Sequence, residues 1–536
     1  MFPTFDPETK VWSGFEQPPL LNPEASLGQV LMALLKRTPT KVIQIDADTG
    51  LQMTCAEMQR RAVRAVQNME AAGYRKGDMV AMVCTNSENL TPLVLAVLIL
   101  GMPVNFLAPN YGLDDLIHMM KITQPKLVFC DADNLETVRK AIRQTGLPGA
   151  ELYALECESP DVRKAEDLLR ETGYEQMFFP PYLGDSRKTL AVVLCSSGTT
   201  GLAKGVCVSH AHLITLCGGL TMFRNCGLIF CFSPLFWGTG LYCLLFSITI
   251  GEPRLITRKP FSEDLFFDLM QQYPISNVFT QPAYAQMLLR HRRVNTIDWS
   301  NLESWSFGGS FVTEEVRDAI DALLPNGRSY ITYGVSEIGA STVDLFGRKA
   351  NSAGQVAPNI SAKIVDEDGT ALGIGEHGEL LLRFSEPLLG YYNNPTATAE
   401  ALCEGGWLRT GDIASFDEDG FLYMLDRKKD LLKYQGHQIS PADLEAIIAR
   451  IEGVEQVAVV GFPAEHGTYE LAAAVIVKNP LSDLNEEKVL RIVDAQVADY
   501  KRLRGGVFFV SALPTTENGK ILRRKLRDKL QARSKL

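Results

Sequence analysis

Between residues 41 and 150, short apolar runs alternate with stretches whose apolar positions recur every three to four residues. KVIQI (41–45), MVAMVC (79–84) and KLVFC (126–130) read as buried strands. CAEMQRRAVRAVQNMEAAG (55–73) has helical spacing and stops at Gly73, and a further apolar helix is expected around 91–101. Strands separated by helices predict an α/β sheet with parallel strands. LAVVLC (190–195) continues the series and runs directly into a glycine-rich loop. Leu228 to Gly251 has no charged residue and is long enough to cross a bilayer. Pro234 and the Gly238-Thr-Gly240 triplet interrupt it, so it reads as a strand, a turn and a buried helix.

The pattern changes further on. NISAKIVD (359–366) and ELLLRF (379–384) predict antiparallel β-structure, and DEDGFLYMLDRKKDLLKY (417–434) a hairpin running into a charge-rich junction. ISPADLEAIIARIEGV (439–454) opens as a helix on Ser440 and Pro441. EQVAVVGF (455–462) and LAAAVIVK (471–478) read as strands, and EEKVLRIVDAQVADY (486–500) as a helix. The fold class is α/β. A large N-terminal domain, residues 1–426, combines α/β sheets with a β-rich subdomain, and residues 427–536 form a small C-terminal α+β domain.

Composition narrows the function. The net charge of -10 argues against a nucleic-acid binder. From Arg427 onward there are 19 Lys and Arg against 14 Asp and Glu, so only the C-terminal part is mildly basic. The eleven cysteines include no C-x-x-C pair and read as reduced thiols. The seven histidines lack metal-ligand spacing. His210 and His212 read as structural groups, and no structural metal is expected. The start, MFPTFDPETKVW, lacks the basic and apolar regions of a secretory signal. Ser534-Lys535-Leu536 has the form of a peroxisomal address, which predicts a peroxisomal location and an import receptor as partner.

The loop after the 190–195 strand, SSGTTGLAKG (196–205), carries the most chemistry. Its glycines let backbone N–H groups approach a ligand, its Ser and Thr add donors, and Lys204 adds a positive charge. This suits phosphates, yet the spacing is not G-x-x-x-x-G-K-[ST], and Gly205 follows the lysine. An ordinary P-loop ATPase is therefore disfavoured. TYGVSEIG (332–339) offers an aromatic ring, a hydroxyl and the Glu337 carboxylate, and a carboxylate near a phosphate cradle suits Mg²⁺. RTGD (409–412), DRKKD (426–430) and ENGKILRRK (517–525) add an aspartate after a tight turn, a charged junction and a lysine after an Asn-Gly pair.

In order and spacing these segments resemble the adenylate-forming superfamily of acyl-CoA synthetases, plant 4-coumarate–CoA ligases and beetle luciferases. SFGGS (306–310), GYYNNPTATAE (390–400), WLRTGD (407–412) and DRKKDLLKYQGHQISPADLE (426–445) extend the likeness from about residue 25 to the end. The resemblance implies ATP, Mg²⁺ and CoA as reactants and cofactor. By it, Ser197, Thr199, Thr200 and Lys204 would hold the β- and γ-phosphates, Glu337 the Mg²⁺, and Ser336 the α-phosphate. Gly308, Gly309 and Tyr333 would frame adenine, and Asp412, with Arg427 beside it, would take the ribose hydroxyls. Lys520 would bridge the acid's carboxylate and the α-phosphate. A small domain turning at Lys429 would then present Lys433 and the loop at Gly436 for transfer to the CoA thiol.

Two departures matter. Trp237 in SPLFWGTG stands where many family members carry histidine, and Leu216 and Thr239 stand where luciferases carry arginine and phenylalanine. Light production as the main activity is therefore not expected. The acid pocket is assigned to Phe236, Trp237, Gly238 and Thr239. Leu213, Phe236, Leu241 and Leu244 are expected to make its surroundings apolar, which predicts a medium- or long-chain fatty acid. The alternatives are an aromatic acid–CoA ligase of the 4-coumarate type, a luciferase-like side activity, or a non-catalytic acyl- or nucleotide-binding protein.

Overall fold

A computed structural model describes residues 3–17, 21–147, 149–196, 203–220, 227–310, 312–345, 347–428, 430–435, 437–463, 470–515 and 521–534. Ser197, Thr199, Thr200, Lys429, Gly436, Lys520, Lys535 and Leu536 lie outside the described residues.

Among the described residues, two sheets sandwich a layer of helices. The first has seven strands. Val104–Phe106, Val80–Val83, Leu127–Asp131 and Glu151–Leu155 run parallel in its interior, and Lys204–Ser209 closes one edge antiparallel to Leu190–Ser196. The second has nine strands. Arg328–Val335, Ser304–Phe307, Ile275–Thr280, Leu228–Cys231, Arg254–Ile256 and Val42–Asp46 lie parallel and adjacent in that order.

The intervening helices have a physical reason to be there. In Leu90–Leu100 every residue is buried, so no face of it could meet water, and it ends on Gly101 in the left-handed region. Cys55–Ala71 is amphipathic instead. Thr54 caps it by accepting from the Glu57 N–H, and Met58, Ala62, Val66 and Met69 face inward. These helices, Leu27–Arg37 and Gly238–Ile250 share one apolar core that touches both sheets.

The strand at KVIQI is found as Val42–Asp46, but it joins the second sheet beside Arg254–Ile256 and not the sheet of 80–83. The strand–helix rhythm specifies parallel strands without specifying which sheet takes the first one. The 228–251 stretch is a buried strand, a turn and the Gly238–Ile250 helix. No described helix is long and apolar enough to cross a membrane. Gly240 has a steric cause: a Cβ there would lie 2.3 Å from the Pro234 carbonyl oxygen.

A third, antiparallel sheet is built on Ile360–Val365, Gly378–Phe384 and Trp407–Phe416, with Leu422–Arg427 paired to the last of these. Arg427 is thus the final residue of a strand in the large unit's sheet, directly opposite Asp412. The C-terminal unit packs Pro441–Ile448, Glu486–Asp494 and Arg523–Ser534 around Val454–Pro463, Glu470–Lys478 and Val507–Phe509. Asp426 ties the two units together. Its carboxylate accepts from the Ser440 hydroxyl at 2.9 Å and the Ala442 N–H at 3.2 Å, at the start of the Pro441–Ile448 helix.

His210 and His212 are buried structural groups. The Leu27 N–H donates to His210 Nδ1 at 3.1 Å, and His212 Nε2 lies 3.0 Å from the Ile338 carbonyl oxygen. The described cysteines are free thiols, and the described residues contain no cluster of three or more metal-ligating side chains.

Candidate active site

Ligands in α/β sheets collect beyond the carboxyl ends of parallel strands, and a cavity of about 390 Å³ opens there on the second sheet. Strand register sets its floor. Ile229, Asn277 and Ser304 are aligned across three strands, and Phe279, Ser306 and Tyr330 form the next row. All six line the cavity. Gly308 continues the row series, and a Cβ there would come 3.0 Å from the Phe279 ring and 3.1 Å from Thr332 Cγ2. A side chain at 308 would crowd the floor at that row. The opposite wall is the Gly238–Ile250 helix. Thr239, Tyr242, Cys243 and Phe246, spaced one helical face apart, line the cavity from that side.

Trp237 is the residue just before this helix. It lines the cavity and packs its ring 4.5 Å from that of Phe236. Gly238, Thr239, Gly308, Gly309 and Ser336 are also on the lining. Phe236 is not. It is 6% exposed and belongs to the core shared by the two sheets, as do Leu213, Leu241 and Leu244. The apolar surroundings expected from those four residues are therefore core packing. The Gly238–Ile250 helix turns Leu241 and Leu244 away from the cavity and presents Thr239, Tyr242 and Cys243 instead.

The TYGVSEIG segment is a hairpin between Arg328–Val335 and Gly339–Val343. Its strands approach so closely at Gly334 that a Cβ would sit 2.4 Å from the Gly339 carbonyl oxygen. Glu337 at the tip is half-buried, and its Oε1 accepts from the Tyr391 hydroxyl at 2.6 Å. Burial, then the neighbouring Glu337 charge, raises the Tyr391 pKa, so this phenol stays a donor. The Lys204 ammonium lies 5.0 Å from the centre of the same ring, within cation–π range. Backbone bonds fix this juxtaposition: the Cys207 N–H donates to Gly390 O at 2.9 Å, and Tyr392 N–H to Gly205 O at 2.7 Å. The end of the glycine-rich loop and the hairpin carboxylate therefore meet across Tyr391. Tyr391 belongs to GYYNNP, and its one signal in the sequence is a phenol in a segment that carries the family resemblance.

A second polar group forms around Asp412, which is 3% exposed. Its Oδ2 accepts from the Tyr333 hydroxyl at 2.6 Å, and its Oδ1 is 3.1 Å from Arg427 Nε. Burial, followed by the Asp412 charge, pushes the Tyr333 phenol well above its ordinary pKa. Two donors hold this carboxylate in one orientation, and its remaining lone pairs can still accept. Lys433 is exposed on the Leu432–Tyr434 strand of a tight hairpin in the C-terminal unit.

The AMP-binding enzyme family matches residues 33–392, and the AMP-binding enzyme C-terminal domain matches residues 443–520. A luciferin 4-monooxygenase of Photinus pyralis is 30% identical over 526 residues, 94% of this chain and 94% of that relative. The probable 4-coumarate–CoA ligase 1 of Dictyostelium discoideum is 28% identical over 533 residues, covering 95% of this chain and 96% of the relative. Among solved structures, ATP-bound MatB from Rhodopseudomonas palustris superposes with a TM-score of 0.83 at 25% identity, covering 94% of this chain and 99% of that one.

Proposed function

The chain belongs to the AMP-binding enzyme family, the adenylate-forming acid–CoA ligases and their relatives, and on that footing we propose that it activates a medium- or long-chain fatty acid with ATP and transfers the acyl group to CoA. The carrying observation is the cavity of about 390 Å³ that ends beside Ser336, with the Glu337 carboxylate next in the chain. That volume lies within the range usual for small-molecule sites.

In the first step a carboxylate oxygen of the acid bonds to the α-phosphorus of ATP as the α–β phosphoanhydride bond breaks. Two negative groups must meet, so positive charge and fixed geometry are the main needs. We assign Lys520 to the entering carboxylate and Ser336 to the α-phosphate. Lys204, with Ser197, Thr199 and Thr200, takes the leaving pyrophosphate. Gly308 and Gly309 leave room for adenine, and Tyr333 and Arg427 hold Asp412 for the ribose hydroxyls.

One carboxylate beside phosphate oxygens is a donor set that fits Mg²⁺. Tyr391 engages only Oε1 of Glu337, which leaves the carboxylate able to hold the ion. Bound there, Mg²⁺ supplies charge neutralisation on the phosphates. In the second step the CoA thiolate attacks the acyl carbon and AMP leaves. Lys433 and Gly436, brought in by rotation about Lys429, are assigned to that step. The Ser534-Lys535-Leu536 terminus supports import into peroxisomes through the receptor that reads it, where acyl-CoA would be consumed by oxidation.

A second reading, a 4-coumarate-type aromatic acid, is supported by the likeness to a probable 4-coumarate–CoA ligase. The test is pyrophosphate release with Mg-ATP across a panel of carboxylic acids, with and without CoA, alongside an assay for acyl-CoA. Acid-dependent release with thioester product is expected. No release with any acid would overturn the ligase reading in favour of a binding protein. Release without thioester would restrict the activity to the adenylate.

A further inference from the structure

The cavity lining is mainly apolar, with a few hydroxyl and amide groups set into it. On its floor, Asn277 and Ser304 are aligned across adjacent strands, and Ser306 lies one row nearer the mouth. The Ser304 and Ser306 hydroxyls are 3.3 Å apart. At about 3.3 Å per residue, Ser304 sits about 13 Å below Gly308 along its strand. These hydroxyls therefore line the cavity well below the level of Gly308.

The helical wall adds a second, independent group. Tyr242 lines the cavity, and its hydroxyl is shut from bulk water with no hydrogen-bond partner among the described residues. The oxygen reaches the Gly339 corner, where a Cβ would be 3.3 Å from it and 2.9 Å from Leu216 Cδ2. Burial raises its pKa, with Cys217 and Glu337 adding to the effect, so it remains a protonated donor. A buried donor without an acceptor is unfavourable and calls for a partner.

Resting on the ligase reading above, we infer that the acid is an oxygen-bearing medium-chain acid, hydroxy- or oxo-substituted along its chain. The substituent accepts from the Tyr242 hydroxyl, and Ser304 and Ser306 add further hydroxyls to the same cavity lining. An unsubstituted chain would leave the Tyr242 hydroxyl unpaired against methylenes, whereas Ser304 and Ser306 can bond each other, and a site built to bond a substrate oxygen discriminates against the analogue lacking it.

The test compares kcat/KM for thioester formation with length-matched medium-chain acids, unsubstituted, hydroxylated and oxo-substituted, and with a hydroxylated cinnamic acid. The wild-type enzyme is expected to prefer an oxygenated aliphatic acid by on the order of tenfold. Tyr242→Phe and Ser306→Ala should each narrow that preference by lowering the oxygenated acid more than the plain one. Thermal unfolding of each variant reports its folding separately. Equal or better use of the plain acid overturns the inference while leaving the ligase reading intact, as does preference for the aromatic acid. A preference that survives both substitutions overturns the assignment to these walls. Absence of thioester with every acid is instead a failure of the ligase reading, and takes the inference with it.

Discussion

The Tyr391 hydroxyl donates to Glu337 Oε1 at 2.6 Å, joining residues 54 positions apart in the chain. The same ring lies under the Lys204 ammonium. One phenol therefore fixes the hairpin carboxylate relative to the end of the glycine-rich loop. A hydrogen bond to a charged group contributes about 1.5–3 kcal/mol. Tyr391→Phe should lower the rate of adenylate formation by roughly ten- to a hundredfold and raise the Mg²⁺ concentration needed for half-maximal pyrophosphate release. An unchanged Mg²⁺ titration would make the contact incidental.

Asp412 is held by Tyr333 on one oxygen and Arg427 on the other. Asp412→Asn should raise the KM for ATP, and Tyr333→Phe should do so less, because Arg427 remains. The specific check is ATP lacking its ribose hydroxyls. The gap between wild type and Asp412→Asn should close with that nucleotide. A gap of the same size would remove Asp412 from ribose binding.

Lys520→Ala should abolish adenylate formation far more than hydrolysis of a preformed adenylate. Lys433→Ala should spare adenylation and slow thioester formation. Single-turnover measurement of each half-reaction separates the two. Equal slowing of both steps in both variants would sink the assignment of two domain poses.

Trp237 stands in the cavity wall at the entrance to the Gly238–Ile250 helix. Trp237→His is expected to change the rate of thioester formation more than that of adenylation. Equal changes in the two would reduce Trp237 to a packing role.

Burial lowers the pKa of both His210 and His212 to about 4, with Lys76 adding to the effect at His210. The unfolded chain, with an imidazole pKa of about 6.5, takes up the proton first as pH falls. The stabilisation is thus complete above the unfolded value and is lost between about pH 6.5 and 4. At pH 5 it amounts to about 2 kcal/mol lost per histidine. Urea unfolding at pH 7.5 and 5.0 should show this. His212→Gln, which keeps an N–H for the Ile338 carbonyl, should lose less stability between the two pH values than wild type.

Much of the fold and the location of the chemistry were legible in the chain itself. The apolar periods gave Val80–Val83, Leu90–Leu100, Leu127–Asp131 and the strand, turn and helix of 228–251, because a strand or helix must repeat at its own geometric period to bury one side. The glycine-rich loop, the Glu337 hairpin and Asp412 are candidates from sequence because binding phosphate and ribose calls for particular side chains at short spacing. Tertiary structure alone decided the rest. Which sheet received Val42–Asp46 depended on partners far along the chain. Leu241 and Leu244 went to the core while Thr239 and Tyr242 faced the cavity, because the helix's rotation is set by what packs behind it. Asn277, Ser304 and Ser306 became one polar surface only through the register of neighbouring strands. Sequence determines the chemistry that each short segment can offer, and long-range packing determines which segments share a cavity.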